Sequence, residues 1–418
     1  MIKLYDFQRG RVGNRKAVAL YWDMGLGKTY GGLDRARQFG DDRVLVVCQK
    51  SKIQDWIDAI KEFSDEEAAN LRKEKEQELF MKNMYKYGVV NYDLLWKRRD
   101  KLKKLNGYTL ILDESSLIKN PRAKRTKAVF KLNYEHLVLL SGTPCSGKYE
   151  ELVTQCNLLG WGISADTYIE RYTVYRNVYI PGKWDPIRKF IGYKNVRELK
   201  TRLKENGADF KLSQDYIDLP QRTFTWVRVD KTSEYNMFEK SLVLKKSTGE
   251  TITADTPLVK LLRLRQLCNS NKKCEALSDL IEGTDDRLVI FYNFNEEKEK
   301  IMEVCKDKPL SFINGEKVDL SNYKEYSNSV TICQYQAGAY GHNLQLANKM
   351  IFYSPPLSCE QFEQAQKRIH RIGQKNPCFY WKMETSNSIE KKIYKTLEMR
   401  QDYTMKLFAS DYKMEEVC

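Results

Sequence analysis

No apolar run in this 418-residue chain approaches the roughly 18 residues that a membrane-spanning helix needs. The opening MIKLYDFQRG lacks the apolar core of a secretory leader, which predicts a cytoplasmic location and no membrane partner. Histidine is scarce, with only His136, His342 and His370. The ten cysteines include no C-x-x-C pair, so neither zinc nor a disulfide framework is expected, only free and mostly buried thiols. Internal repeats and low-complexity tracts are absent, which excludes repeat arrays. Positive charge is in excess: Lys and Arg number 71 against 56 Asp and Glu, a formal net charge of +15. That excess suggests a polyanionic partner, most simply nucleic acid, although lysines on a solvated face give the same sum. Hydrophobic residues at 42% and charged residues at 30% describe a globular chain, and the length accommodates two or three domains.

The rest of the chain is organised around Tyr21–Thr29, YWDMGLGKT. The apolar run Ala17–Leu20 leads into it as a buried strand, and a segment able to form a helix follows. A turn carrying Gly25 and Gly27 can wrap a triphosphate with backbone N–H groups, and the helix N-terminus adds its partial positive charge. Lys28 would reach the β- and γ-phosphates, and Thr29 would place its hydroxyl on Mg²⁺. Trp22 stands where the usual pattern has its first glycine, so the loop alone also admits a glycine-rich turn that merely precedes a lysine. Upstream, Gln8 in LYDFQ could pair its amide with an adenine edge, or could simply be a surface residue.

Further buried strands are expected at Val44–Cys48, Tyr87–Tyr92, Leu110–Leu112 and Leu137–Leu140, with a solvated helix over 65–82. Asp113 and Glu114 close the third of these strands, where ligands bind in parallel sheets. There Asp113 can hold the metal's water shell and Glu114 can polarise an attacking water. Strands separated by helical segments predict a parallel, doubly wound α/β lobe over 1–154. Residues 155–285 read as helical protrusions, with Tyr168, Tyr172, Tyr175 and Tyr179 at helical spacing as either core or a base-stacking stripe. A second α/β lobe, 286–418, is expected from strands at Leu288–Tyr292, Ser311–Ile313, Val330–Gln334, Met350–Tyr353 and Phe379–Met383, closed by a helix over 386–410. In CEQFEQAQKRIHRIGQ, Arg368 and Arg371 fall three apart on an expected helix and so face one way. They suit a role as arginine fingers, although the spacing alone favours two surface arginines on a basic protein.

QAQKRIHRIGQ resembles the sixth motif of the Swi/Snf (Snf-two) family of DNA translocases, within helicase superfamily two. In order along the chain, LYDFQ resembles that family's adenine motif, DMGLGKT its first, DESSLIKN its second and LSGTP its third. LRQLCN and AGAYGHNLQLANKMIFYSPP resemble the segment before lobe two and the fifth motif. The resemblance implies two RecA-like lobes with helical protrusions inserted between them, and an ATP hydrolase using Mg²⁺. It implies that Gln8, Met24, Gly25, Leu26, Gly27, Lys28, Thr29, Gly341 and Gln374 hold the nucleotide. Lys28, Asp113, Glu114, Arg368 and Arg371 would be catalytic, with Thr29 and Asp113 on the metal. Gln49, Lys50, Ser51, Asn91, Tyr92, Gln336, Ala337 and Gly338 would grip a DNA backbone. Ser116, Ser141, Gly142 and Thr143 would couple hydrolysis to that grip.

The sequence departs from the family at four places. Trp22 replaces an acid, Ser115-Ser116 replace the ending in His, Lys367 replaces a common Asp, and Ser270 follows Cys268-Asn269 where His-Pro is usual. Ser116 is expected to bond less extensively than His and to loosen the coupling. The length, with no room for accessory modules, predicts a stripped-down phage or bacterial member, a monomer acting on duplex or branched DNA with an unspecified protein cargo. The basic runs at Lys97–Lys104 and Arg122–Lys127 are candidate phosphate contacts; the first reads better as a solvated face and the second, after the acid motif, as the contact. A strand-separating or branch-migrating helicase, and a non-catalytic nucleotide-gated clamp, remain the alternatives.

Overall fold

Along Ala17–Trp22 (β1), Val18, Leu20 and Trp22 point to one side of a sheet, and Ala19 and Tyr21 to the other. Both sets are buried, which is why the strand reads as an unbroken apolar run rather than an alternation. The computed structural model describes residues 3–145, 147–179, 186–241, 243–245, 251–253, 256–338 and 343–408, with backbone alone at 243–245, 251–253 and 402–408. It divides into two compact units, the first running to Ile217 and the second spanning Asp218–Gln401.

The first unit adds β2 (Val44–Cys48), β3 (Ala68–Asn70), β4 (Tyr87–Asn91), β5 (Thr109–Leu112) and β6 (His136–Leu140), then a hairpin of β7 (Thr173–Val178) and β8 (Ile187–Tyr193), then β9 (Ala208–Lys211). Seven of these form one parallel sheet in the order β3-β4-β2-β5-β6-β1-β9. Helices α1 (Lys28–Phe39) and α2 (Ile53–Ser64) cover one face through Leu33, Ala36, Ile53, Trp56, Ile60 and Phe63. The other face takes Leu95 of a helix at Tyr92–Leu102, Cys156 of one at Val153–Leu158, Tyr168 and Tyr172 of one at Ala165–Tyr172, and Leu199 and Leu203 of one at Val196–Glu205. Each fully buried Val, Leu, Ile or Phe in these layers contributes roughly 1.5–3 kcal/mol relative to exposure.

The second unit carries β10 (Arg222–Val229), a short hairpin β11 (Val243–Lys245) and β12 (Thr251–Thr253), then β13 (Leu288–Tyr292), β14 (Leu310–Ile313), β15 (Val318–Asp319), β16 (Val330–Gln334), β17 (Lys349–Phe352) and β18 (Cys378–Thr385). Its sheet runs β10-β18-β17-β13-β16-β14-β15, parallel except for the last pair. A helix begins at Ile389 and closes the unit, burying Ile393, Tyr394 and Leu397.

Three regions differ from the sequence reading. Residues 65–82 are not one helix: Ala68–Asn70 form the edge strand, and the helix is confined to Glu74–Met81. Buried Ala68 and Ala69 prefer the sheet, and the Glu76 carboxylate accepts the Asn70 N–H at 2.6 Å, which fixes the break. The tyrosine spacing does not mark one helix either. Tyr168 and Tyr172 are core residues of a helix that stops at Thr173, while Tyr175 lies on β7 and Tyr179 beyond it. Finally, the block 155–285 is not purely helical: it contributes β9 to the first sheet and β10 to the second. Among the described residues no helix is long and apolar enough to cross a membrane.

Candidate nucleotide site

The turn after β1 ends on Gly27, whose left-handed backbone (φ +71°) starts α1 at Lys28. The backbone conformation there demands glycine, and a Cβ at Gly27 would also fall 2.3 Å from Gln8 Nε2 and force that amide to move. The Lys28 ammonium bonds back to the carbonyls of Trp22 (3.0 Å) and Asp23 (3.3 Å), across the mouth of the turn. Met24, Gly25, Leu26 and Thr29 lie on the same turn and first helical residues, with the Leu26 side chain buried so that only its backbone serves the loop. Gln8 is buried, its Nε2 donating to Leu26 O (3.0 Å) and its Oε1 accepting from Tyr5 N (3.0 Å). These two bonds use one amide hydrogen and one lone pair of the side chain.

Asp113 and Glu114 follow β5, two strands from β1 across β6. Asp113 Oδ2 accepts the indole N–H of Trp56 (2.8 Å), and burial raises its proton affinity against the opposing pull of that bond and of Lys28. Glu114 adopts a left-handed backbone (φ +52°), and its Oε1 accepts from Ser141 Oγ (3.0 Å) and Ser116 Oγ (3.2 Å). Burial pushes the Glu114 carboxyl upward, Lys28 pulls it down, Asp113 pushes it up, and the two serine hydroxyls favour the ionised form. Ser141 Oγ also accepts the Thr143 N–H (3.1 Å), so Ser116, Glu114, Ser141 and Thr143 form one continuous network. Gly142 lies against the loop: a Cβ there would sit 3.2 Å from Lys28 Nζ.

Sequence reasoning missed the residues that brace this network. Gln155 Oε1 accepts from Ser115 Oγ (2.7 Å) and Tyr21 OH (3.0 Å), while its Nε2 donates to Pro144 O (2.6 Å). Trp56 was legible only as an apolar helical residue, and nothing in the local pattern around Gln155 announces its role.

Of the expected DNA-gripping residues, Lys50, Ser51 and Gln336 are exposed, and Gln49 and Ala337 are half-buried. Asn91 is buried at the end of β4, and Gly338 ends a short helix at Tyr335–Gly338. Tyr92 is instead a core residue whose hydroxyl donates to Asp113 O (2.8 Å), which ties the end of β4 to the acid strand. Gly341 lies outside the described residues.

In the second unit, Arg368 and Arg371 do not share a helix. The helix Cys359–Gln366 ends before them, and both lie on the following turn, where Gly373 takes a left-handed conformation (φ +94°). Arg368 is buried; Arg371 is half-buried, which lowers its proton affinity. Gln374 fastens that turn: its Nε2 donates to Gln345 O, Ala347 O and Ile369 O, and its Oε1 accepts from the N–H groups of Lys375 and Asn376. The amide is spent on the chain itself, so in this arrangement Gln374 shapes the arginine segment rather than reaching a ligand.

A lysine-bearing phosphate-type loop and an Asp-Glu pair on one parallel sheet, followed by a second parallel sheet, define a two-lobed RecA-like helicase-type ATPase. Residues 10–273 match the SNF2-related domain, and residues 272–373 match the helicase conserved C-terminal domain. The chain belongs to the SNF2-related family of helicase-like ATPases. It is 23% identical to the Drosophila melanogaster SWI/SNF-related matrix-associated actin-dependent regulator of chromatin subfamily A-like protein 1, over 95% of this chain and 54% of that protein. Identity to the Saccharomyces cerevisiae ISWI chromatin-remodeling complex ATPase ISW1 is 22%, over 93% of this chain and 38% of that one. The chain thus spans about half or less of the length of these relatives. The solved Sulfolobus solfataricus SWI2/SNF2 ATPase core in complex with dsDNA is 20% identical with a TM-score of 0.42, covering 94% of this chain and 91% of that one.

Proposed function

We propose that the chain hydrolyses ATP with Mg²⁺ and couples that hydrolysis to movement along double-stranded DNA. The observation that carries the hydrolytic part is the network around Glu114, a half-buried carboxylate that follows β5 and is held by two hydroxyls, on the same sheet whose β1 leads into the Lys28 turn. The donor set suits a hard divalent cation. Thr29 offers a hydroxyl, and Asp113 offers the oxygen not taken by Trp56, which are the oxygen ligands Mg²⁺ accepts. Bound there, Mg²⁺ would neutralise phosphate charge.

This chain's own residues do the rest. On phosphate binding, Lys28 exchanges its two backbone carbonyls for phosphate oxygens, an exchange of neutral for charge-assisted bonds. Glu114 Oε2 orients the attacking water and receives its proton, while the serine hydroxyls hold Oε1 and favour the ionised form against the upward push of burial. Arg368 and Arg371 are proposed as the cations that stabilise charge on the transferring phosphoryl. Ser116, Ser141 and Thr143 are the proposed route by which backbone contacts are sensed at Glu114.

The basic excess and the exposed Arg122, Lys124 and Lys127 support DNA as the polyanion, and the duplex form is what the motif resemblance to the Swi/Snf translocases implies. Steady-state ATP hydrolysis by the purified chain, alone and with blunt duplex, single-stranded and forked DNA at two salt concentrations, tests the reading. Stimulation by blunt duplex that fades at higher salt is expected. Stimulation confined to forked or single-stranded DNA would replace it with a strand-separating helicase. Absence of turnover under every condition would overturn the hydrolytic assignment.

A further inference from the structure

Trp22 stands at the entry to the phosphate loop, in place of the acid its motif leads one to expect. The indole is fully buried in a slot opened by Gly31, where a Cβ would lie 2.6 Å from the ring. A buried indole N–H needs an acceptor, and it finds one on β9: Trp22 Nε1 donates to Asp209 Oδ2 at 2.8 Å. The Lys211 ammonium pairs with the same oxygen and stands 4.7 Å from the indole centroid. Asp23 is held by the same segment. Its N–H donates to Lys211 O (2.8 Å), its Oδ2 accepts from Ser213 Oγ (2.7 Å), and its Oδ1 accepts the Met24 N–H (3.0 Å).

The two residues so fixed are those whose carbonyls receive the Lys28 ammonium. Backbone and side chains of 209–213 therefore set the starting position of the loop that must wrap the triphosphate. We propose that Asp209, Lys211 and Ser213 are positioning residues for ATP binding. Asp209 acts from a strand distant in sequence, by accepting the indole N–H of the residue that stands at position 22. The inference rests on the nucleotide-site reading above and deepens it. Without this clamp, the competent loop conformation is one among several, and apparent affinity falls in proportion to its population.

The test is titration of the full chain with a fluorescent ATP analogue and Mg²⁺, together with ATP KM and kcat, for Asp209→Leu, Asp209→Asn, Ser213→Ala and Lys28→Ala. Asp209→Leu leaves the indole N–H without an acceptor, and affinity should fall about tenfold or more, with the loss in KM rather than kcat. Asp209→Asn keeps an acceptor and should recover most of it. Ser213→Ala, which removes only a hydroxyl, should weaken binding roughly three- to tenfold and keeps the test alive if Asp209→Leu does not fold. If Lys28→Ala loses binding while folded Asp209→Leu and Ser213→Ala bind as wild type, the clamp is overturned and the site stands. Wild-type binding by Lys28→Ala would overturn the site and the clamp with it. A lowered urea midpoint with unchanged affinity of the folded protein would show a merely structural role and refute the positioning.

Discussion

Ser141→Ala probes the carboxylate network at the bond on which it turns. Ser141 is fully buried; its Oγ donates to Glu114 Oε1 at 3.0 Å and accepts the Thr143 N–H at 3.1 Å. A hydrogen bond to an ionised partner contributes about 1.5–3 kcal/mol. Glu114 retains Ser116 and the field of Lys28, so the lower end applies, and about 1.4 kcal/mol is tenfold in an equilibrium constant. The sign follows from the acid's role. Burial already raises the proton affinity of Glu114, and only the ionised form can take a proton from water, so kcat falls as pH drops through its titration. Removing a donor to the ionised form raises that proton affinity further and moves the acid limb of kcat to higher pH. At a fixed pH on that limb, the rate should fall about tenfold, while ATP KM stays near wild type because Lys28 and its loop are untouched. The assay is kcat and KM across the acid limb, with a urea midpoint as the folding control. An unchanged acid limb with a uniformly lower kcat would refute the argument, since it would show that Ser141 acts on something other than the charge of Glu114.

In the second unit, Lys273→Met strands the buried Glu390 carboxylate, now paired with Lys273 at 2.7 Å, and should cost about 3–5 kcal/mol, read as a lower urea midpoint. An unchanged midpoint would mean that the pair adds nothing. Gly142→Ala places a Cβ 3.2 Å from Lys28 Nζ and 3.3 Å from Met24 Cγ, so ATP KM should rise roughly fivefold or more. A wild-type KM would show that the loop moves aside freely. Replacing exposed Lys124 and Lys127 together by Ala should reduce the slope of log DNA affinity against log salt by about 2. An unaltered slope would place the phosphate track elsewhere.

What the sequence disclosed depended on how dry each strand is. β2 and β13 lie in sheet interiors with both faces covered, and their apolar runs, VLVVC and LVIFY, mark their limits to the residue. β9 and β10 are edge strands, ADFK and RTFTWVRV, with few fully buried positions; polar side chains break the apolar run, and they passed as parts of a helical block. The chemistry of the site was legible for a different reason. A phosphate loop and an acid pair are local, because a strand end and the turn after it supply all their atoms. The contacts that hold those atoms still are not local. Trp22 meets Asp209 across 187 residues, Trp56 meets Asp113 across 57, and Ser115 meets Gln155 across 40. The loss of an acid at Trp22 read in sequence as a weakened motif. In the structure, the indole hydrogen-bonds a carboxylate on a strand whose own sequence concealed it, so the departure at one position and the unread strand belong to the same arrangement.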